Sequence, residues 1–128
     1  MKKSDALMAL VKLEKAYKSL NIACEKSKND IERDGTIQRF EFTFELFWKT
    51  LKIIMDYYGV DCNSPKICIK EAFRNKLIED DEIFLDMLED RNKTSHIYKE
   101  EVADEIFERI KNVYVNSFND FIKKSRKI

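Results

Sequence analysis

Apolar residues recur every three or four positions along most of the chain, with polar ones between them, so the pattern predicts a series of amphipathic helices. From about Ser4 to Lys28, the stripe Leu7, Leu10, Leu13, Tyr17 and Leu20 follows a Ser4 cap. Asp34-Gly35-Thr36 reads as a turn and cap. It opens a second helix in which Phe40, Phe44, Phe47, Leu51, Ile54 and Tyr58 lead to Gly59, a natural residue just past a helix end. Ser64-Pro65 sets a cap before proline at the first helical position, which predicts a short connector through Ile69, Ala72 and Phe73 to about Asn75. Asp80-Asp81-Glu82 places negative charge at a fourth helix start, and Phe84, Leu88 and Arg91 then follow, with an arginine on the apolar stripe. A last helix from about Glu100 to Lys124 carries Val102, Ile106, Ile110, Val113, Phe118, Phe121 and Ile122. Without strand alternation, repeats or a linker, residues 1–128 predict one all-α domain: an antiparallel four-helix up-and-down bundle with a short extra helix.

Composition narrows the function classes. The chain has only 2 Gly and 1 Pro, far below the roughly 12% average, which argues against sandwiches, Rossmann domains and glycine loops that cradle phosphates. Its 24 Lys+Arg balance 24 Asp+Glu, so any nucleic-acid contact must come from a local patch. The longest apolar run, Ala6 to Val11, is too short for a membrane span or a usual secretory core, and a cytoplasmic protein with no membrane partner is expected. Cys24, Cys62 and Cys68 form no C-x-x-C pair, which fits reduced, packed thiols better than a disulfide framework or a zinc site. No metal and no cofactor are expected.

Candidate chemistry concentrates in Glu89-Asp90-Arg91-Asn92-Lys93-Thr94-Ser95-His96-Ile97-Tyr98, which holds the only histidine. A guanidinium at the edge of a core cannot shed its proton and needs an anion. No carboxylate lies one turn from Arg91 on its own helix, whereas Glu89 and Lys93 make an ordinary i,i+4 pair. Two partners remain open for Arg91: an external phosphate, or a carboxylate from another helix or a second subunit. His96 stands five positions on, about 140° around a continuous helix, so either the helix ends between them or two chains meet about a twofold axis. The spacing of Glu41, Glu45 and Lys49 on the second helix describes a solvated face or, more sharply, a partner surface. A di-metal site needs Glu-x-x-His, and Lys93 occupies the glutamate position. Ser95 beside His96 lacks the elbow glycines of a serine hydrolase.

Several pieces together resemble the HEPN proteins, and within them the helical nucleotidyltransferase substrate-binding subunits that accompany a minimal nucleotidyltransferase. They are Arg33-Asp34-Gly35, Ile37-Gln38-Arg39-Phe40-Glu41-Phe42, Glu45-Leu46, Trp48-Lys49, Ser64-Pro65-Lys66, Glu89-Asp90-Arg91-Asn92, Thr94-Ser95-His96 and Tyr98. Ile67 and Lys76 depart from the pattern, standing where an acidic and a small residue are expected. The resemblance implies a homodimer with a composite R-x4-H site, a nucleotidyltransferase partner, and RNA or a nucleotide as ligand. In the ribonuclease form of the family, His96 would act as general acid or base at a 2′-hydroxyl and Arg91 would stabilise the phosphorane. Asn92 and Ser95 would support substrate, and Tyr98 would be the residue that receives AMP in toxin-antitoxin pairs. This metal-independent ribonuclease is the principal expectation, and a non-catalytic nucleotidyltransferase substrate-binding subunit is the alternative.

Overall fold

The computed structural model describes residues 1–96 and 99–127, and every regular element among them is helical. The helices are α1 (Lys3–Lys26), α2 (Asp30–Tyr57), α3 (Pro65–Arg74), α4 (Asp81–Thr94), α5 (Glu100–Arg109) and α6 (Val115–Ser125), with a π-helical turn at Ile110–Tyr114 joining the last two. The expected bundle is therefore present. Helix α2 is its centre, packing against α1, α3, α4 and α5, while α6 closes against α1.

Aromatic side chains explain why α2 takes that place. Phe40, Phe44 and Phe47 recur at three- and four-residue spacing and are completely buried. Phe47 stacks on Phe84 of α4 with ring centroids 4.5 Å apart and meets Phe121 of α6 edge-on at 5.1 Å. Phe40 stacks on Tyr114 at 5.4 Å. One stripe thus joins four elements, each buried ring contributing on the order of 2 kcal/mol through desolvation.

Local chemistry places two helix starts elsewhere than expected. Helix α1 is capped at Lys2, whose backbone N–H donates to the Asp5 carboxylate, so Ser4 lies inside the helix. Helix α2 starts at Asp30, because the Asn29 side chain accepts from the Glu32 backbone N–H while Glu32 reaches back to that of Lys28. Asp34-Gly35-Thr36 is consequently helical rather than a turn, and the Thr36 hydroxyl donates to the Glu32 carbonyl. Neighbouring Arg33 is buried and pairs with Asp104 at 2.8 Å, tying the start of α2 to α5. On α1 the inward positions are Ala6, Leu10, Leu13, Ala16, Leu20 and Cys24, and Leu7 is exposed.

Two of the three cysteines correct the expectation of reduced thiols. Cys62, in the loop before α3, is joined by a disulfide to Cys68, with Cα atoms 5.1 Å apart. The Ser64 cap folds the chain back at the helix start, which brings the two together across a spacing that the sequence does not mark as a pair. Cys24 remains a buried thiol, and burial pushes its pKa up to about 11.

Helices α2 and α3 end identically. After α2, the Val60 N–H donates to the Met55 carbonyl and the Gly59 N–H to that of Asp56, with Gly59 at φ +82°. After α3, Leu77 donates to Ala72 and Lys76 to Phe73, and Lys76 carries φ +63°. Both are Schellman motifs, whose left-handed position favours glycine. The departure at Lys76 is therefore a backbone matter. Lys76→Gly should raise stability by about 0.5–1 kcal/mol, because relief of left-handed strain exceeds the extra chain entropy of glycine. A urea titration showing a lower midpoint for the variant would contradict this.

Candidate functional site

The end of α4 carries the charged cluster, and its geometry begins one residue before Arg91. Phe84, Met87 and Asp90 are the buried face of α4, so the inward polar residue is Asp90, while Arg91 lies at the edge with its side chain 30% exposed. The expected stripe Phe84, Leu88, Arg91 is rotated accordingly. Asp90 accepts two parallel hydrogen bonds from Arg109, both 2.8 Å, and a third of 2.5 Å from the Tyr114 hydroxyl. Burial, then the Asp90 hydrogen bond, drives the Tyr114 phenol well above its ordinary pKa, so it stays a donor. The π-helical turn makes this triad reachable. Its wider ring lets Tyr114 and Val115 both face inward, displacing Val113 from the expected stripe.

With α4 anchored there, Arg91 projects toward α2. Its Nη2 donates to Glu45 Oε2 at 2.5 Å and its Nη1 to the Asn92 side-chain oxygen at 3.1 Å, and the guanidinium carbon lies 6.0 Å from the Phe44 ring centre. Of the two partners left open by the sequence, the structure supplies the carboxylate from another helix. Glu45 also faces Lys49 at 3.7 Å, so the Glu41, Glu45, Lys49 face of α2 borders the site rather than standing apart from it. Burial acts to raise the Glu45 carboxyl, but the Arg91 hydrogen bond and charge outweigh it and hold the group below its ordinary pKa. One turn earlier, burial prevails at Glu41 and lifts its carboxyl above the ordinary value despite Thr94 and Arg91 nearby. The surface therefore offers one firmly ionised, cation-paired carboxylate beside another that takes up protons more readily.

Helix α4 stops between Arg91 and His96. The Thr94 hydroxyl donates to the Arg91 carbonyl and the Ser95 hydroxyl to that of Asn92, so both compete for the carbonyls at the helix end. Ser95 is the C-terminal cap, and the exposed His96 follows it outside the helix. The 140° separation of a continuous helix does not apply. Arg91, Asn92 and Ser95 are brought together at one helix end with His96 directly after them, and Tyr98 lies outside the described residues. Sequence reasoning misses the Asp90, Arg109 and Tyr114 network. The available signal was the three-residue spacing of Phe84, Met87 and Asp90. Among the described residues, no group of His, Cys, Asp and Glu is placed to hold a metal, and no helix is long and apolar enough to cross a membrane.

Fold and site together define a helical-bundle protein with an ion-paired surface cluster at one helix end. Residues 8–127 match the model of the family described as nucleotidyltransferase substrate binding protein like, and the chain belongs to that family. A Thermus thermophilus protein of known crystal structure is 33% identical, with a TM-score of 0.75, over 90% of this chain and 96% of that one. A Haemophilus influenzae protein is 26% identical with a TM-score of 0.78, over 91% of this chain and 98% of its own, and its structure is described as the fold of a substrate binding domain of a nucleotidyltransferase. No match is found among curated proteins.

Proposed function

We propose that this chain is the substrate-binding subunit of a two-component system, acting beside a minimal nucleotidyltransferase rather than cutting RNA itself. The observation that carries this reading is the 2.5 Å pairing of Arg91 with Glu45. A guanidinium already shared between a carboxylate and Asn92 is a neutralised recognition element, whereas a phosphorane needs a cation free to meet developing charge. Family membership and the description of the Haemophilus influenzae relative point the same way. In this reading the end of α4 and the Glu41–Glu45 face of α2 form the contact surface for the nucleotidyltransferase.

A second reading keeps the HEPN ribonuclease. It is favoured by the end of α4 at Thr94, which frees His96 from the helical rotation that would separate it from Arg91. A homodimer would then assemble Arg91 and His96 as catalytic groups, with Asn92 and Ser95 supporting and AMP on Tyr98 silencing the site. The test uses protein whose intact mass shows no added AMP, incubated with RNA in EDTA beside His96→Ala, and run with the nucleotidyltransferase on a sizing column. The binding-subunit reading expects a stable complex and uncut RNA. Cleavage by the wild type that disappears in His96→Ala would replace it with the ribonuclease.

A further inference from the structure

The zero net charge of the chain conceals a division. Residues 1–28 and 110–128, which include α1, the π-helical turn and α6, hold twelve of the 24 basic residues but only four of the 24 acidic ones, a net +8, and residues 29–109 carry the opposite −8. Helix α1 packs against both α6 and the π turn, so the fold gathers the positive share together. The acidic share contains the Arg91–Glu45 cluster and the ends of α4 and α5.

Lysines alone do not distinguish α1; the apolar side chains beside them do. Away from the core positions, Met8, Val11, Lys15, Lys18 and Ile22 follow one another at alternating three- and four-residue steps and therefore share one outward face. All five are exposed, Met8 by 61% and Val11 by 70%. With Met1 and Leu7, this short stretch supplies five of the twelve large apolar side chains exposed among the described residues, so outward apolar surface and positive charge coincide. Their order alternates. Lys2 and Lys3 precede Leu7, Met8 and Val11, then Lys12, Lys15 and Lys18 separate these from Ile22, and Lys26 and Lys28 follow. Of the three acids on the stretch, Asp5 caps the helix and the half-buried Glu14 pairs with Lys18 and Arg126, which leaves Glu25 near the far end. Over its 24 residues the helix is about 36 Å long.

We propose that the outer face of α1 docks this chain on an anionic lipid surface, with Met8, Val11 and Ile22 entering the headgroup layer and the flanking lysines meeting its anionic oxygens. Charge complementarity calls for an anionic partner, and apolar residues set between lysines call for one that is charged at its surface and apolar just beneath it. Lysine suits both layers, because its stem covers apolar surface while its ammonium stays in water. A nucleic-acid backbone would leave Met8 and Val11 without a counterpart. A second copy packed α1 to α1 about a twofold axis at mid-helix would bring the central lysines of both copies together, like charge on like. A contact of this kind needs no spanning helix, and it goes beyond the binding-subunit reading without depending on it.

The test is co-sedimentation of the full chain with vesicles of phosphatidylcholine alone and of equimolar phosphatidylcholine and phosphatidylglycerol. It is run at low salt and again at about 0.5 M, where screening confines charge interactions to a few ångströms. The expected result is binding to the anionic vesicles only, weakened by salt. Lys15→Gln with Lys18→Gln should weaken it by at least about tenfold, since each basic residue near such a surface contributes about fivefold. Met8→Ser with Val11→Ser, which leaves the charge unchanged, should weaken it about tenfold through lost apolar insertion. Lys66→Gln with Lys70→Gln on α3 removes the same charge from exposed positions in the acidic share and should bind as wild type does. All six positions are exposed, and circular dichroism checks that each variant keeps its helices. No binding to anionic vesicles at low salt overturns the proposal, as does equal loss in the α1 and α3 lysine pairs. Full binding by the serine pair, together with equally tight binding of polyglutamate, overturns it in favour of an acidic protein partner.

Discussion

Asp90→Ala is expected to lower stability by about 3 kcal/mol, the low end for removing one partner of a buried ion pair. Asp90 is 3% exposed and accepts from Arg109 twice and from Tyr114 once, so the variant strands three donor groups together. Arg109 can recover some hydration because its side chain is 38% exposed, which keeps the cost from the top of the range. Tyr114, fully buried, cannot. For a chain of this size the loss corresponds to a fall in Tm of roughly 10 °C. Tyr114→Phe removes one donor and its share of the demand together, so it should cost only about 1 kcal/mol. Thermal unfolding followed by circular dichroism checks both, and equal effects of the two substitutions would show that the Arg109 pairing contributes little. Asp90→Ala should also loosen the last turn of α4 and with it the Arg91–Glu45 contact, visible as faster amide exchange from residues 88–94.

Phe47→Ala should be of similar or larger effect, about 3–5 kcal/mol, from lost transfer energy plus the cavity left behind. The ring touches four others: Phe44 at 5.9 Å, Phe84 at 4.5 Å, Phe118 at 5.7 Å and Phe121 at 5.1 Å between centroids. It is the point where α2, α4 and α6 meet. Those helices hold their neighbours rigidly, so collapse into the hole is limited and the upper part of the range is expected. Phe42→Ala, five residues away but exposed, should stay within about 0.5 kcal/mol. Urea titration of the two variants measures the contrast directly. A small effect at Phe47 would mean that the aromatic cluster can repack.

Several elements are legible because their signals are local. Ser64 accepts from the Ile67 N–H with Pro65 at the first helical position, Asp80 caps α4, and Gly59 occupies the left-handed position after α2, each as residue chemistry predicts. The start of α2 differs because Gly35 suggests a turn, while the competing cap at Asn29, reinforced by Glu32 reaching back to Lys28, begins the helix five residues earlier. The last helix holds a subtler clue. The expected stripe steps by five from Val113 to Phe118, and the structure resolves that irregular step as the π-helical turn with Tyr114 inward.

The site divides along the same line. Arg91, Asn92, Ser95 and His96 are identifiable as a group because unusual side chains cluster there in sequence, and the requirement for an anion near Arg91 follows from its inability to lose a proton. Which anion answers it could not be read from the chain, because Glu45 is 46 residues away and only packing of α4 on α2 brings it to 2.5 Å. The same holds for Arg109 with Asp90 and for Arg33 with Asp104. Apolar periodicity and capping act within one or two turns, so the order of residues dictates the helices and most of their inward faces without further help. Ion pairs depend on which helices become neighbours, a matter of three-dimensional packing, where burial removes water and makes each charge depend on its partner.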